Sequence, residues 1–245
     1  MNHAPIKIKP YGEHAILIEW PDKVDEAILD SIIQFDDYLK NHCLSNGVWE
    51  TVTAYNSLLL VNQLERIDFI TYKKKIGEWY TNLEIGNKKE QILWKLPVSY
   101  DLDFGIDLEE VAQKAGKTVP EIIELHTSHV YTVYGIGFLP GFMYLGGLPK
   151  ELEVSRKAEP RLQVKKGAVG IAGKQTGIYP QDSPGGWNIV GSCPIPIFDV
   201  NKEHPCFVSV GDKIQFQQIT MAEYNLHKIE TEVGIYKPEK IVLNA

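Results

Sequence analysis

The residues able to do chemistry gather in one stretch, EPRLQVKKGAVGIAGKQTGIYPQDSPGGWNIVG, Glu159 to Gly191. Arg161 carries the forked guanidinium that grips a carboxylate or phosphate through two parallel hydrogen bonds. Gln175, Tyr179 and Ser183 offer neutral hydrogen bonds, Lys174 offers a point charge, and Trp187 can wall a pocket. The same residues suit turns around a barrel mouth, and composition and spacing leave both readings open. No nucleophile triad is visible. Ser183 lies in DSPGGW rather than a hydrolase G-x-S-x-G elbow, and Cys193 in GSCPIP reads as structural. GAVGIAGKQ superficially looks like a phosphate loop. Its glycines, Gly167 and Gly173, are one residue too far apart for a P-loop, and Gln175 stands where that motif needs Ser or Thr. His126 and His129 stand at i and i+3, a spacing a helix can use for metal, but no third ligand stands nearby. A histidine hydrogen-bonded at the edge of a site is the better reading of His126.

Upstream lies YGIGFLPGFMYLGGLP, Tyr134 to Pro149, which interleaves glycine, proline and aromatic residues. Glycine lets backbones approach closely and proline fixes φ, so this pattern builds shaped loops rather than a flexible linker. It holds no acid, base or nucleophile, which makes it the frame of a pocket.

The elements that must position these residues follow from periodicity. Ile6 and Ile8, then Ile16 and Ile18, alternate as a hairpin turning near Tyr11 to Glu13. Ile28, Ile32, Phe35 and Leu39 recur at helical spacing behind a cap at Asp22 or Asp25. VWETVTAYNSLLLVNQ gives two strands. A second helix with Tyr72, Ile76, Trp79, Tyr80 and Leu83 on one face stops near Gly86 and Asn87, and Gln91 to Val98 is a strand. The order β-β-α-β-β-α-β predicts an α+β domain over residues 1–93, with two helices on an antiparallel sheet. Asp107 with Glu110, and Thr118 with Glu121, fit capping boxes for two short helices separated by Gly116. Beyond them, Tyr131 to Ile136 and then Arg161–Val164, Ala168–Ala172, Gly177–Tyr179, Trp187–Ser192, Ile195–Phe198 and Lys213–Gln218 read as short strands. They predict a mainly-β barrel domain over residues 94–245.

Composition excludes several classes. The formal net charge of −7 argues against a broad nucleic-acid surface, and the helix-turn-helix-like LEEVAQKAGKTVPEIIELH offers Glu121 and Glu124 where a DNA reader needs basic or amide groups. No apolar run spans a bilayer, and the N-terminus lacks a secretion signal, so a cytoplasmic protein is the simplest expectation. Three scattered cysteines give neither a disulfide framework nor a zinc site.

GFLPGFMYLGGLP followed by AEPRLQVKKGAVGIAGKQTGIYPQDSPGGWNIVG closely resembles the allophanate hydrolase subunit 1, or KipI-like, family. The resemblance runs from about Pro97 to Gln218; Lys165 stands where many relatives have proline. Family members include the B subunit of bacterial 5-oxoprolinase and the sporulation kinase A inhibitor. The resemblance implies a cyclophilin-like barrel for the second domain. It implies partners, the C and A subunits of 5-oxoprolinase, and ATP with Mg2+ used by the complex to open 5-oxoproline to L-glutamate. A histidine-kinase partner, or a place in urea or allophanate metabolism, are the alternatives it carries. The resemblance carries over positions and not roles; the chemistry of opening a lactam suggests that Arg161 and Lys174 hold negative oxygens, while Gln175, Tyr179 and Ser183 orient substrate or water. In the same reading His126 transfers a proton, and Gly137, Phe138, Pro140, Gly141, Phe142 and Trp187 line the pocket.

Overall fold

A computed structural model describes residues 4–44, 47–83 and 90–243. Contacts divide the chain into two compact units, one up to Glu90 and one from Gln91 to Asn244.

In the first unit β1 (Lys7–Pro10), β2 (Ala15–Glu19), β3 (Trp49–Ala54) and β4 (Ser57–Asn62) form an antiparallel sheet in the order β1-β2-β4-β3. Two helices cover it, α1 (Glu26–Tyr38) and α2 (Phe69–Thr81). Alternation sends Ile16, Ile18, Leu58 and Leu60 to one face, where they meet Ile32 and Phe35 of α1 and Ile76 and Tyr80 of α2 in one core. Asp25 caps α1, its carboxylate accepting the Ala27 N–H at 2.9 Å, and Asp68 caps α2 in the same way. The expected stop at Gly86 and Asn87 lies outside the described residues. The last strand expected for this half, β5 (Gln91–Val98), belongs to the second unit instead, because its hydrogen bonds run to strands there.

The second unit continues with α3 (Leu108–Ala115), α4 (Val119–Ser128), β6 (Val130–Ile136), β7 (Met143–Gly146), β8 (Arg161–Val164), β9 (Ala168–Ala172) and β10 (Gln175–Ile178). It ends with β11 (Ser183–Gly185), β12 (Asn188–Ser192), β13 (Lys213–Gln218), α5 (Met221–Glu232) and β14 (Glu239–Leu243). Its main sheet runs β14-β5-β13-β6-β7-β10-β9-β12, antiparallel except where β13 lies parallel to β5. β8 and β11 form a separate ribbon. Expected strand Ile195–Phe198 is absent; only Phe198 bridges, to Cys206.

The expected cyclophilin-like barrel becomes a curled sheet without a closing ladder. Its free end, β12, meets the chain just past β5 through one isolated bridge, Ser99 to Ser192, with both N–H···O bonds at 2.9 Å. The interior is continuous nonetheless. Leu96, Val133, Leu145, Val169, Ile178, Val190, Ile214 and Phe216 bury their side chains together, and Val111 and Ile122 of α3 and α4 complete the core. Thr118 and Glu121 form the expected capping box on α4. Asp107 does not cap α3, because its carboxylate is committed elsewhere.

Gly191 makes the Ser99–Ser192 approach possible: a Cβ there would stand 2.7 Å from the Ser99 carbonyl oxygen. Gly191→Ala is expected to destabilise the second unit by about 1–3 kcal/mol, the usual cost of overpacking, read as a lower urea midpoint.

Candidate functional site

The two glycine-rich stretches meet through aromatic rings. Between β6 and β7 the chain turns back on itself, Gly137 N–H donating to the Phe142 carbonyl at 3.0 Å and Phe142 N–H to Leu139 at 2.9 Å. Phe142 is thereby pointed inward, edge-on to Tyr144 at 5.0 Å and to Tyr179 and Trp187 at 5.3 Å each. Gly177 on β10 leaves room for this: a Cβ there would meet the Met143 carbonyl at 2.6 Å and the ring of Trp187 at 3.3 Å. Phe142, Tyr179 and Trp187 are all buried, in one cluster with Val164 and Ile189. The expected pocket wall is therefore a filled aromatic core. Gly141 packs on Phe198, while Phe138 and Pro140 stand exposed at the tip, Phe138 with a left-handed φ of 65°. Two concave surfaces of about 620 Å³ lie on the first unit, around Trp20 and Asn56 and along α2, and neither includes a residue of these stretches.

Beside the rings sits a buried ionic clamp. Asp107 Oδ1 accepts from Arg161 Nη2 at 2.5 Å and from Lys157 Nζ at 2.8 Å; its Oδ2 accepts the Ile189 N–H at 2.7 Å. The Asp107 side chain is 4% exposed. Arg161 Nη1 donates onward to the Trp187 carbonyl at 3.4 Å. The ion pair thus grips the backbone on both sides of Asn188, whose amide donates to the Ser155 and Ile171 carbonyls at 2.9 and 3.1 Å. Together these bonds fix the segment that aims Trp187. Lys157 also pairs with Glu110; partial burial works against its charge, but these two carboxylates outweigh it and raise its pKa. Near Trp187 stands one further cation, Arg156, exposed and with its guanidinium 5.9 Å from the ring centroid.

The other expected residues scatter. His126 is sealed in the core, stacked 4.6 Å from Phe216. Thr176 Oγ1 spends its hydrogen on the Gly170 carbonyl at 3.0 Å, so it accepts from His126 Nε2–H at 2.9 Å. That leaves Nδ1 to accept from the Tyr100 hydroxyl at 2.6 Å. Burial lowers the His126 pKa to about 3, with His129 adding to the effect, and pushes Tyr100 well up. With no solvent contact and a fixed neutral tautomer, His126 is a core histidine, and the proton-transfer role expected of it is withdrawn. Lys174 stands exposed on the turn between β9 and β10, with Gln175 half-buried next to it. Ser183 is buried and donates to the neighbouring Pro184 carbonyl at 3.2 Å. Burial also pushes the Cys193 thiol up to about 12. Among the expected residues, Arg161, Tyr179, Trp187 and Phe142 form one constellation. Sequence reading missed Asp107, Lys157 and Arg156; the last two stand in RKAEPR beside Arg161, a local density of cations that was the available signal.

Three comparisons place the chain among known proteins. A family model described as "Carboxyltransferase domain, subdomain C and D" matches residues 6–208. The B subunit of 5-oxoprolinase from Bacillus subtilis (strain 168) is 30% identical over 235 residues, 92% of this chain and 98% of that protein. The B subunit of 5-oxoprolinase from Haemophilus influenzae is 35% identical over 212 residues, 86% of this chain and 97% of that protein. The crystal structure of TTHA0988 matches with a TM-score of 0.74 and 30% identity over 84% of this chain; the match spans 40% of that longer chain. The Kluyveromyces lactis urea carboxylase shares the fold, with a TM-score of 0.80 over 97% of this chain and 24% of its own, at 18% identity.

Two outcomes test the geometry. Asp107→Ala leaves Arg161 and Lys157 without their buried anion and is expected to cost about 3 kcal/mol; Glu110→Ala, on exposed surface, leaves the urea midpoint nearly unchanged. His126 supplies a pH signature. Below its unfolded pKa of 6.5 the unfolded chain binds a proton that the folded core refuses until about 3, so stability falls with pH across that window. Between pH 7.5 and pH 5 the loss is about 2 kcal/mol, and His126→Gln removes that part of it in urea titrations at the two pH values.

Proposed function

We propose a function from one premise: the chain belongs to the carboxyltransferase-domain family, subdomains C and D. It serves as the B subunit of a 5-oxoprolinase, a component of a multi-subunit hydrolase that opens the ring amide of 5-oxo-L-proline to L-glutamate with consumption of ATP. The observation that carries this reading is the match to 5-oxoprolinase B subunits, which runs over 98% of the Bacillus subtilis protein and 97% of the Haemophilus influenzae one. Likeness to urea carboxylase at 18% identity supports the fold and does not favour a second activity.

The chemistry explains why several chains cooperate. A lactam carbonyl is a poor electrophile; phosphorylating its oxygen activates the carbon, so that water adds, the ring C–N bond breaks to release the amine, and a second water hydrolyses the acyl phosphate to carboxylate and phosphate. Donors aimed at the developing charge lower the barrier further. In this reading the chain supplies a rigid surface: Trp187 held by the Asp107–Arg161 clamp, Tyr179 and Phe142 behind it, and the exposed Phe138, Pro140 and Lys174, with half-buried Gln175, turned toward partner or substrate. In this reading ATP and its Mg2+ are used by the complex as a whole. The A and C subunits of the enzyme are the partners. No helix among the described residues is long and apolar enough to cross a membrane, and the complex is assigned to the cytoplasm, where ATP is supplied.

Co-expression with the A and C subunits tests the reading. The assembled complex is expected to form glutamate from 5-oxoproline only when ATP is present, measured by chromatography of the product. A complete complex that forms none overturns it.

A further inference from the structure

We infer that Arg156, rather than Arg161, receives the carboxylate of the substrate; this rests on the function proposed above. Arg161 has the right fork for a carboxylate, but each of its two terminal nitrogens already donates one bond. Nη2 is spent on Asp107 and Nη1 reaches the Trp187 carbonyl. Withdrawing it toward a ligand would leave a buried carboxylate short of a partner, a strongly unfavourable exchange. Lys157 is bound by the same argument, held by Asp107 and Glu110 together.

Arg156 differs on each count. It is exposed, and among the described residues no carboxylate pairs with it. Its guanidinium stands over the ring of Trp187, 5.9 Å from the centroid, and its positive field, with that of Arg161, reaches the Tyr179 hydroxyl. Trp187 is itself buried, bonded through its backbone carbonyl to Arg161 and edge-on to Phe142 and Tyr179. A guanidinium held over an indole by cation–π attraction loses less freedom when it binds than one with no such neighbour. Its planar fork then matches a carboxylate with two parallel charge-assisted hydrogen bonds. The clamp therefore has a second effect: by absorbing Arg161 and Lys157 it leaves Arg156 as the cation facing outward at the aromatic cluster. The ligand this selects is a small ring amide bearing one carboxylate. A nucleotide phosphate would satisfy the same fork, and the experiment separates the two.

The wild-type chain and Arg156→Ala and Arg156→Lys variants are each assembled with the A and C subunits, and steady-state glutamate formation is measured against 5-oxoproline and against ATP. Arg156→Ala is expected to raise KM for 5-oxoproline about 10- to 100-fold, the worth of a charge-assisted hydrogen bond, with KM for ATP unchanged. Arg156→Lys, which keeps the charge and loses the fork, recovers only part of the loss. For 2-pyrrolidinone, the same ring without its carboxylate, opening followed as ADP release is expected to be equal in wild type and Arg156→Ala. An active complex indifferent to Arg156, or one whose KM rises for ATP instead, overturns this inference alone. A wild-type complex that forms no glutamate overturns the proposed function, and this inference with it.

Discussion

A carboxylate taken out of water must be repaid by charge and hydrogen bonds, and the second unit is arranged around one such group. Asp107 reaches Arg161, Lys157 and the Ile189 N–H from a position that excludes solvent. Each partner brings a different piece of chain. Arg161 opens β8, Lys157 lies in the segment before it, and Ile189 is in β12. The ribbon, the sheet edge and the start of α3 are tied at one carboxylate. Trp187 inherits its orientation from this knot, and Phe142, Tyr144 and Tyr179 inherit theirs from Trp187.

Local rules read most of the fold. β5, β8, β9 and β13 stand where alternation and β-branched runs place them, and α1 begins at the Asp25 cap. Those signals depend on near neighbours in sequence, so they survive without knowledge of tertiary contacts. Asp107 shows where that reasoning fails. An Asp three residues before a Glu satisfies the capping pattern, yet Arg161, 54 positions away, outcompetes the helix N–H groups for its oxygens. The barrel expectation fails for a related reason: closure is a property of how strand ends meet, and here they meet through two hydrogen bonds.

The candidate site was legible in part. Aromatic and glycine density located the cluster, because close backbone approach demands glycine wherever rings fill the gap, as at Gly177 and Gly185. Roles were harder. His126 suggests an acid–base group while its surroundings are unknown, since an unperturbed imidazole titrates near neutrality; a sealed core removes that property. Arg161 suggests an anion grip until Asp107 is seen to hold it. In both residues the functional group is present and its environment has already used it.

The seam between Ser99 and Ser192 has a bearing on how the second unit moves. Most junctions of the sheet are ladders of several residue pairs, although β10 meets β7 at one pair, Thr176 to Leu145. At the seam only a reciprocal pair of amides joins the two margins. Parting it leaves every ladder intact. The unit thus has a built-in line of low cohesion, along which the Ser99 and Ser192 amides can exchange their hydrogens without global unfolding. Breathing along that line is set by one pair of serines rather than by the stability of the core.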